Sequence, residues 1–253
     1  MKSRLSTESG LFKKPIAHRG LWGETSRGFI AENSIAAYEA AAERGIPIET
    51  DLYLSTDGVL YCFHDATLER TTNGSGFIYE KNSMQLDALS LNGCSGEKIP
   101  RLSELLEISC GKSPLLIELK NQPVKVFTEA AVKALSEYKG EFAVQSFVPA
   151  HLMKVKKLAP DFLRGVLGTE NAEGENAAVR FTLKNMPFNR LIAPDFISYR
   201  HTGLPLAQKK RGGLPVFAWT ITSESEEVKA KEFADNVIFE GFVPQEYKSD
   251  KEL

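Results

Sequence analysis

The chain has little cysteine, no long apolar run, no marked excess of either charge and no early glycine-rich phosphate turn. Each absence removes a class of protein. The three cysteines, Cys62, Cys94 and Cys110, are odd in number and match no zinc-ligand spacing. Neither a disulfide framework nor a zinc module therefore organises the fold. Reduced thiols fit a reducing compartment, and the cytoplasm is the expected location. No segment reaches the roughly 20 apolar residues of a membrane span. The opening stretch, MKSRLSTESGLFKK, lacks the apolar core of a signal peptide. Stable membrane insertion is not expected. The ending Asp250-Lys251-Glu252-Leu253 resembles an ER-retention signal, but without a leader that address is not read. A net charge of −2 supplies no global positive field, so nucleic acid is not an expected partner. An anionic small molecule stays open as substrate, because local charge decides its binding. Internal repeats and low-complexity tracts are also absent.

What is present is an ordinary globular composition, 42% apolar and 25% charged over 253 residues, enough for one domain spanning 1–253. Apolar, β-rich stretches alternate with amphipathic ones. Strands are expected at Ile16–His18, Ile46–Ser55, Val59–Phe63, Leu115–Glu118, Phe142–Gln145 and Leu163–Val166. Others are expected at Leu191–Ala193 or Phe196–Ser198, then at Val216–Trp219 and Val237–Phe239. Asn33 or Ser34 can cap a helix over the following alanines, and Gly45 with Pro47 ends it. Further helical patterns cover Leu102–Ile108, Val124–Leu135, His151–Leu158, Leu206–Arg211 and Glu224–Phe233. About eight strand–helix units in this length predict an α/β fold, a (β/α)8 TIM barrel. An open doubly wound sheet is the alternative, disfavoured by the missing glycine-rich turn. Residues 67–98 break the rhythm with a long run of turn residues, read as a small insertion after the second strand unit.

In such a barrel the active-site groups gather at the C-terminal strand ends. His18 and Arg19 end the first strand, Glu49 and Asp51 lie on the second, and Glu118 ends the third with Lys120 beyond. Gln145, Trp219 and Glu240 end later strands. Glu49 and Asp51, two apart, share one strand face. Like charges roughly 6–7 Å apart there repel unless a cation intervenes. With Glu118 they make an all-oxygen donor set suited to Mg²⁺ or Ca²⁺; ion pairing of Glu49 and Asp51 with Arg or Lys is the alternative. His18 and His64 each end an apolar strand. A pair of imidazoles can accept one proton and donate another, as phosphodiester cleavage requires. Arg19 and Lys120 can neutralise phosphoryl oxygens. Trp219 is either a core indole or a stacking wall for an apolar or choline-like group. His151 and His201 sit in polar sequence and are expected at the surface.

Several segments in order carry a resemblance. They are Ala17-His18-Arg19-Gly20, Glu32-Asn33-Ser34, Glu49-Thr50-Asp51, Ser55-Thr56-Asp57-Gly58, and His64-Asp65 with Thr67-Leu68-Glu69-Arg70-Thr71-Thr72-Asn73-Gly74-Ser75-Gly76. Ile99-Pro100-Arg101-Leu102, Ile117-Glu118-Leu119-Lys120, Gln145-Ser146-Phe147 and Trp219-Thr220 follow. Together they resemble the glycerophosphodiester phosphodiesterase family over roughly residues 15–220. The resemblance implies a (β/α)8 barrel with an inserted subdomain. It implies His18 and His64 as the acid–base pair, and Glu49, Asp51 and Glu118 as ligands of one divalent cation. Arg19 would lie near the phosphate and Lys120 near the metal. The implied reaction, part of glycerol and lipid metabolism, hydrolyses a glycerophosphodiester to glycerol 3-phosphate and an alcohol, the glycerol hydroxyl attacking first to give a cyclic phosphate. The chain departs from the family pattern at Ala31, where proline is usual, at Arg101, where threonine is usual, and at Phe239-Glu240-Gly241-Phe242-Val243-Pro244, where Thr-Asp precedes the proline. Two rival readings are a lysophospholipid- or sphingophospholipid-cleaving relative and a non-catalytic metal-binding barrel.

Overall fold

The computed structural model describes residues 2–25, 28–94 and 96–248, so the Asp250–Leu253 ending lies outside the described residues. The barrel strands are β1 (Ile16–His18), β2 (Ile48–Leu54), β3 (Leu115–Leu119), β4 (Phe142–Ser146), β5 (Leu163–Gly168), β6 (Phe196–Arg200), β7 (Val216–Ile221) and β8 (Asn236–Phe239). Each pairs in parallel with the next, and β1 pairs with both β2 and β8, which closes the ring. A short strand, Leu60–Cys62, runs antiparallel to β2 outside that ring. The open doubly wound alternative is thereby excluded, since no barrel strand is left with a free edge.

Alternation along the strands sorts side chains to two cores. Ile48, Leu52, Ile117, Val144, Val166 and Ile197 point outward and pack under the surrounding helices. Ile16, Leu116, Ala143, Phe196, Phe217 and Ile238 fill the barrel, with Leu5 and Leu11 from the N-terminal segment beside them. Phe196 and Phe217 stack with centroids 4.9 Å apart. Each fully buried Leu, Ile or Phe among them contributes about 1.5–3 kcal/mol through apolar burial.

Ser34 is the cap of helix Ile35–Ala42, accepting from the Ala37 amide. Asn33 instead turns the chain at a φ of 49°. Of the two candidate strands near residue 195, Phe196–Arg200 is the strand, and Leu191 belongs to a short helix, Asn189–Ile192. The helix Ala177–Asn185 and the hairpin Gly23–Thr25 with Gly28–Ile30 carried no sequence expectation.

One expectation is corrected. His151 is fully buried, not at the surface. It lies on helix Pro149–Leu158, on the inward face with Leu152 and Val155, and its Nδ1 meets Thr128 Oγ1 at 2.7 Å. Burial holds its imidazole down at about 4. His201 begins a 3-10 turn after β6 and is half-buried.

Residues 67–98 follow the Leu60–Cys62 strand. They hold a 3-10 turn, Ile78–Glu80, and a helix, Ser83–Ala88, capped reciprocally by Asn82 and Gln85. Leu68, Ile78, Leu86 and Leu91 form a small core of their own with Tyr53, Tyr61 and Phe63. Ala31 is buried in that same core. Arg101 starts the following helix with Glu104 Oε2 accepting from its amide at 2.8 Å, while its guanidinium pairs with Asp87.

Candidate active site

Strand register assembles the site. His18 lies opposite Glu49, Asp51 opposite Glu118, and Glu118 opposite Gln145. Four neighbouring strands thus deliver their polar residues to the barrel mouth. His18, Arg19, Glu49, His64, Glu118, Lys120 and Gln145 line an open cavity of about 100 Å³. Phe147, Leu167, Trp219 and Ile238 add apolar lining to it.

Glu49, Asp51 and Glu118 each place an oxygen within 4.8 Å of the others, all three residues being buried. Burial, then the charges of Asp51 and Glu118, pushes the Glu49 carboxyl well above its ordinary value. Burial likewise pushes Glu118 up to about 7, although Lys120 opposes it. For Asp51 burial is outweighed by Lys120, His64 and Arg19, so its carboxyl is held far below the usual range. Lys120 Nζ stands 3.2 Å from Asp51 Oδ1 and 3.1 Å from Glu118 Oε1. Two neighbouring cations do not neutralise three packed carboxylates, and an oxygen-only set of this kind can bind a hard metal ion. A buried chain behind the set orients it. Asn33 Nδ2 donates to Asp51 Oδ2 at 3.2 Å, Tyr38 donates to Asn33 Oδ1 at 2.9 Å, and Gln145 Nε2 donates to Glu49 Oε1 at 3.4 Å.

Each histidine is held in the same way from a different element. His18 Nδ1 is 2.6 Å from Glu240 Oε2, and His64 Nδ1 is 2.6 Å from Asp65 Oδ1. A carboxylate only accepts, so Nδ1 donates in both rings and Nε2 is left as the atom that takes up or gives up the transferred proton. His18 Nε2 lies 3.9 Å from Glu49 Oε2, which turns it into the barrel. Burial, assisted by the charges of Lys120 and Arg19, lowers the His64 pKa. Burial alone would raise Glu240, but its bond to His18 and the nearby Arg19 charge bring it below the ordinary range.

Arg19 adopts a φ of 63°, and Gly20 follows at 81° with Ala37 so near that a Cβ would come within 2.9 Å. This tight turn aims the guanidinium back at Glu32 Oε1, 2.8 Å away, with Asp51 at 3.8 Å. Trp219 is half-buried and edge-on to Phe147 at 5.6 Å; its indole packs against the barrel core and also lines the cavity. Its Nε1 is buried without a partner.

All eight site candidates therefore converge. Sequence reasoning gave no orienting role to Glu32, Asn33, Asp65 and Glu240, which hold Arg19, Asp51, His64 and His18 respectively, nor to Arg70, which bonds to Glu32 and Asp65. Asp65 and Glu240 were visible as acids at element ends, but nothing in the sequence pairs either with a given histidine.

The glycerophosphoryl diester phosphodiesterase family model matches residues 18–240. A glycerophosphodiester phosphodiesterase of Caldanaerobacter subterraneus is 34% identical, covering 88% of this chain and 92% of the relative. The structure of an Oleispira antarctica phosphodiesterase, in complex with the product sn-glycerol-3-phosphate, superposes with a TM-score of 0.72 at 26% identity, over 90% of this chain and 92% of that one. A glycerophosphodiester phosphodiesterase from Parabacteroides distasonis shares the fold, with a TM-score of 0.71 at 24% identity over 89% of this chain and 92% of that one. The match begins at His18 and ends at Glu240, which bond to each other at the ends of the neighbouring strands β1 and β8, and this chain belongs to the glycerophosphoryl diester phosphodiesterase family of enzymes.

Proposed function

We propose that the protein hydrolyses glycerophosphodiesters to glycerol 3-phosphate and an alcohol with His18 and His64 as the proton-transfer pair. The observation that carries this is the matched bonding of both rings: each Nδ1 sits 2.6 Å from a carboxylate, so each Nε2 is available to the cavity they share. One imidazole takes the proton of the attacking hydroxyl and the other supplies one to the leaving alkoxide. Arg19 and Lys120 offset charge on the phosphoryl oxygens, Arg19 as a fork and Lys120 as a point charge. Trp219 and Phe147 form the wall against which the remainder of the substrate lies. Glu49, Asp51 and Glu118 would hold one divalent cation, Mg²⁺ or Ca²⁺, whose Lewis acidity favours the attacked phosphorus. The substrate is a small molecule, and no described helix is long and apolar enough to cross a membrane. All three cysteines are free, which supports the cytoplasm as the location. We treat residues 1–253 as one catalytic domain with 67–98 as its insertion.

Purified protein with Mg²⁺ or Ca²⁺ should release glycerol 3-phosphate from glycerophosphocholine. Turnover confined to lysophosphatidylcholine, with cyclic or lyase products, would replace this reading by the lysophospholipid one.

The carboxylate trio also sets a pH dependence. Without a cation the folded state keeps protons on Glu118, at about 7, and on Glu49 where the unfolded chain has released them. The folded state then binds more protons, so stability falls as pH rises from the ordinary carboxylate range through about 7. A bound cation removes that repulsion and displaces those protons. The gain in Tm on adding cation is therefore expected to be larger near pH 8 than near about pH 5.5. A gain that is equal at both, or larger in acid, contradicts the ligand assignment.

A further inference from the structure

The two sides of the site meet on one guanidinium that belongs to the inserted segment. Arg70 Nε donates to Asp65 Oδ2 at 2.5 Å and its Nη2 to Asp65 Oδ1 at 3.1 Å. On its other edge Nη1 donates to Glu32 Oε2 at 2.9 Å and Nη2 to Glu32 Oε1 at 2.6 Å. Asp65 in turn holds His64, and Glu32 holds Arg19. The connection from His64 through Asp65, Arg70 and Glu32 to Arg19 is unbroken.

We propose that Arg70 is a positioning residue for the reaction, clamping Asp65 and Glu32 so that His64 and Arg19 face the phosphate together. This rests on the roles given to His64 and Arg19 above. A planar guanidinium with five fixed donors can fork onto two carboxylates at once, and a lysine cannot. An exposed ion pair contributes little to stability. Here the Arg70 side chain is half exposed but the Glu32 side chain is only 9% exposed, so what Arg70 supplies is orientation of that buried acid and of the half-buried Asp65. The insertion fixes Arg70 in its turn. Leu68 and Thr72 on either side are buried, Thr72 Oγ1 donates to the Leu68 carbonyl at 2.7 Å, and Asn92 Nδ2 donates to the Arg70 carbonyl at 3.4 Å. The small core of residues 67–98 thus serves the active site through one side chain.

The test uses Arg70→Ala and Arg70→Lys in the full chain, assayed on glycerophosphocholine with cation present. Arg70→Ala should lower kcat/KM by about 10–100-fold, the range typical of partners behind a reacting group, with little change in Tm. Arg70→Lys should not restore the rate. In an Asp65→Asn background, Arg70→Ala should cost much less than in the wild type, because the two act through one connection. Long-range ¹H–¹⁵N spectra of His64 need no substrate. They should show the Nδ1–H tautomer in the wild type and a mixture in Arg70→Ala. Wild-type kcat/KM in Arg70→Ala, full rescue by lysine, or full additivity with Asp65→Asn would each overturn the inference. A wild-type protein inert toward glycerophosphodiesters, yet showing the tautomer change, would reject the proposed reaction and leave the clamp standing.

Discussion

Replacing His18 with alanine is expected to lower kcat by about 10²–10⁴-fold, and replacing His64 by a similar factor. Each ring is fixed at Nδ1 by a carboxylate 2.6 Å away, so alanine removes a proton carrier already set in tautomer and direction. His18 ends β1 and His64 follows the Leu60–Cys62 strand, and both side chains are at least partly exposed to the cavity. Their loss should leave the barrel core intact and Tm nearly unchanged. KM should move little, because the proposed phosphate contacts rest on Arg19 and Lys120. The double variant should be scarcely slower than the worse single variant, since the pair acts as a unit. Near-normal kcat in both single variants, measured on glycerophosphocholine, would end the acid–base assignment.

Glu49→Gln is the second large effect, and it has two signs. Glu49 is buried beside Asp51 and Glu118. Losing a charged ligand should weaken cation binding by more than the about 10–100-fold typical of outer partners. The cation concentration for half-maximal rate should rise accordingly. Without cation the same change removes a buried, like-charged neighbour, so the metal-free protein should melt higher than the wild type above neutral pH. A variant with unaltered response to EDTA and added cation, and an unaltered metal-free Tm, is incompatible with Glu49 as a ligand.

What could be read in the sequence follows from what each feature depends on. The strands and the level of the polar residues were legible, because alternation and strand ends are local properties. Glu49 and Asp51 share a face for that reason, and parallel register then places Glu118 beside Asp51. The Glu240–His18 bond joins residues 222 apart and depends on closure of the ring, which no local pattern encodes. The departure from the family pattern at Phe239–Pro244 contains Glu240, the His18 partner. His151 was misplaced because its neighbours Lys154, Lys156 and Lys157 make the stretch look polar, while position on the helix sends it inward with Leu152 and Val155. The helix Ala177–Asn185 has an amphipathic pattern but buries no residue, and it was not among the helices expected.

The proposed site is tested most directly by a crystal structure with a divalent cation and glycerol 3-phosphate. The cation is expected bonded to Glu49, Asp51 and Glu118, and the phosphorus between the Nε2 atoms of His18 and His64. A cation held by other residues, or a phosphate that either histidine cannot reach, would contradict it.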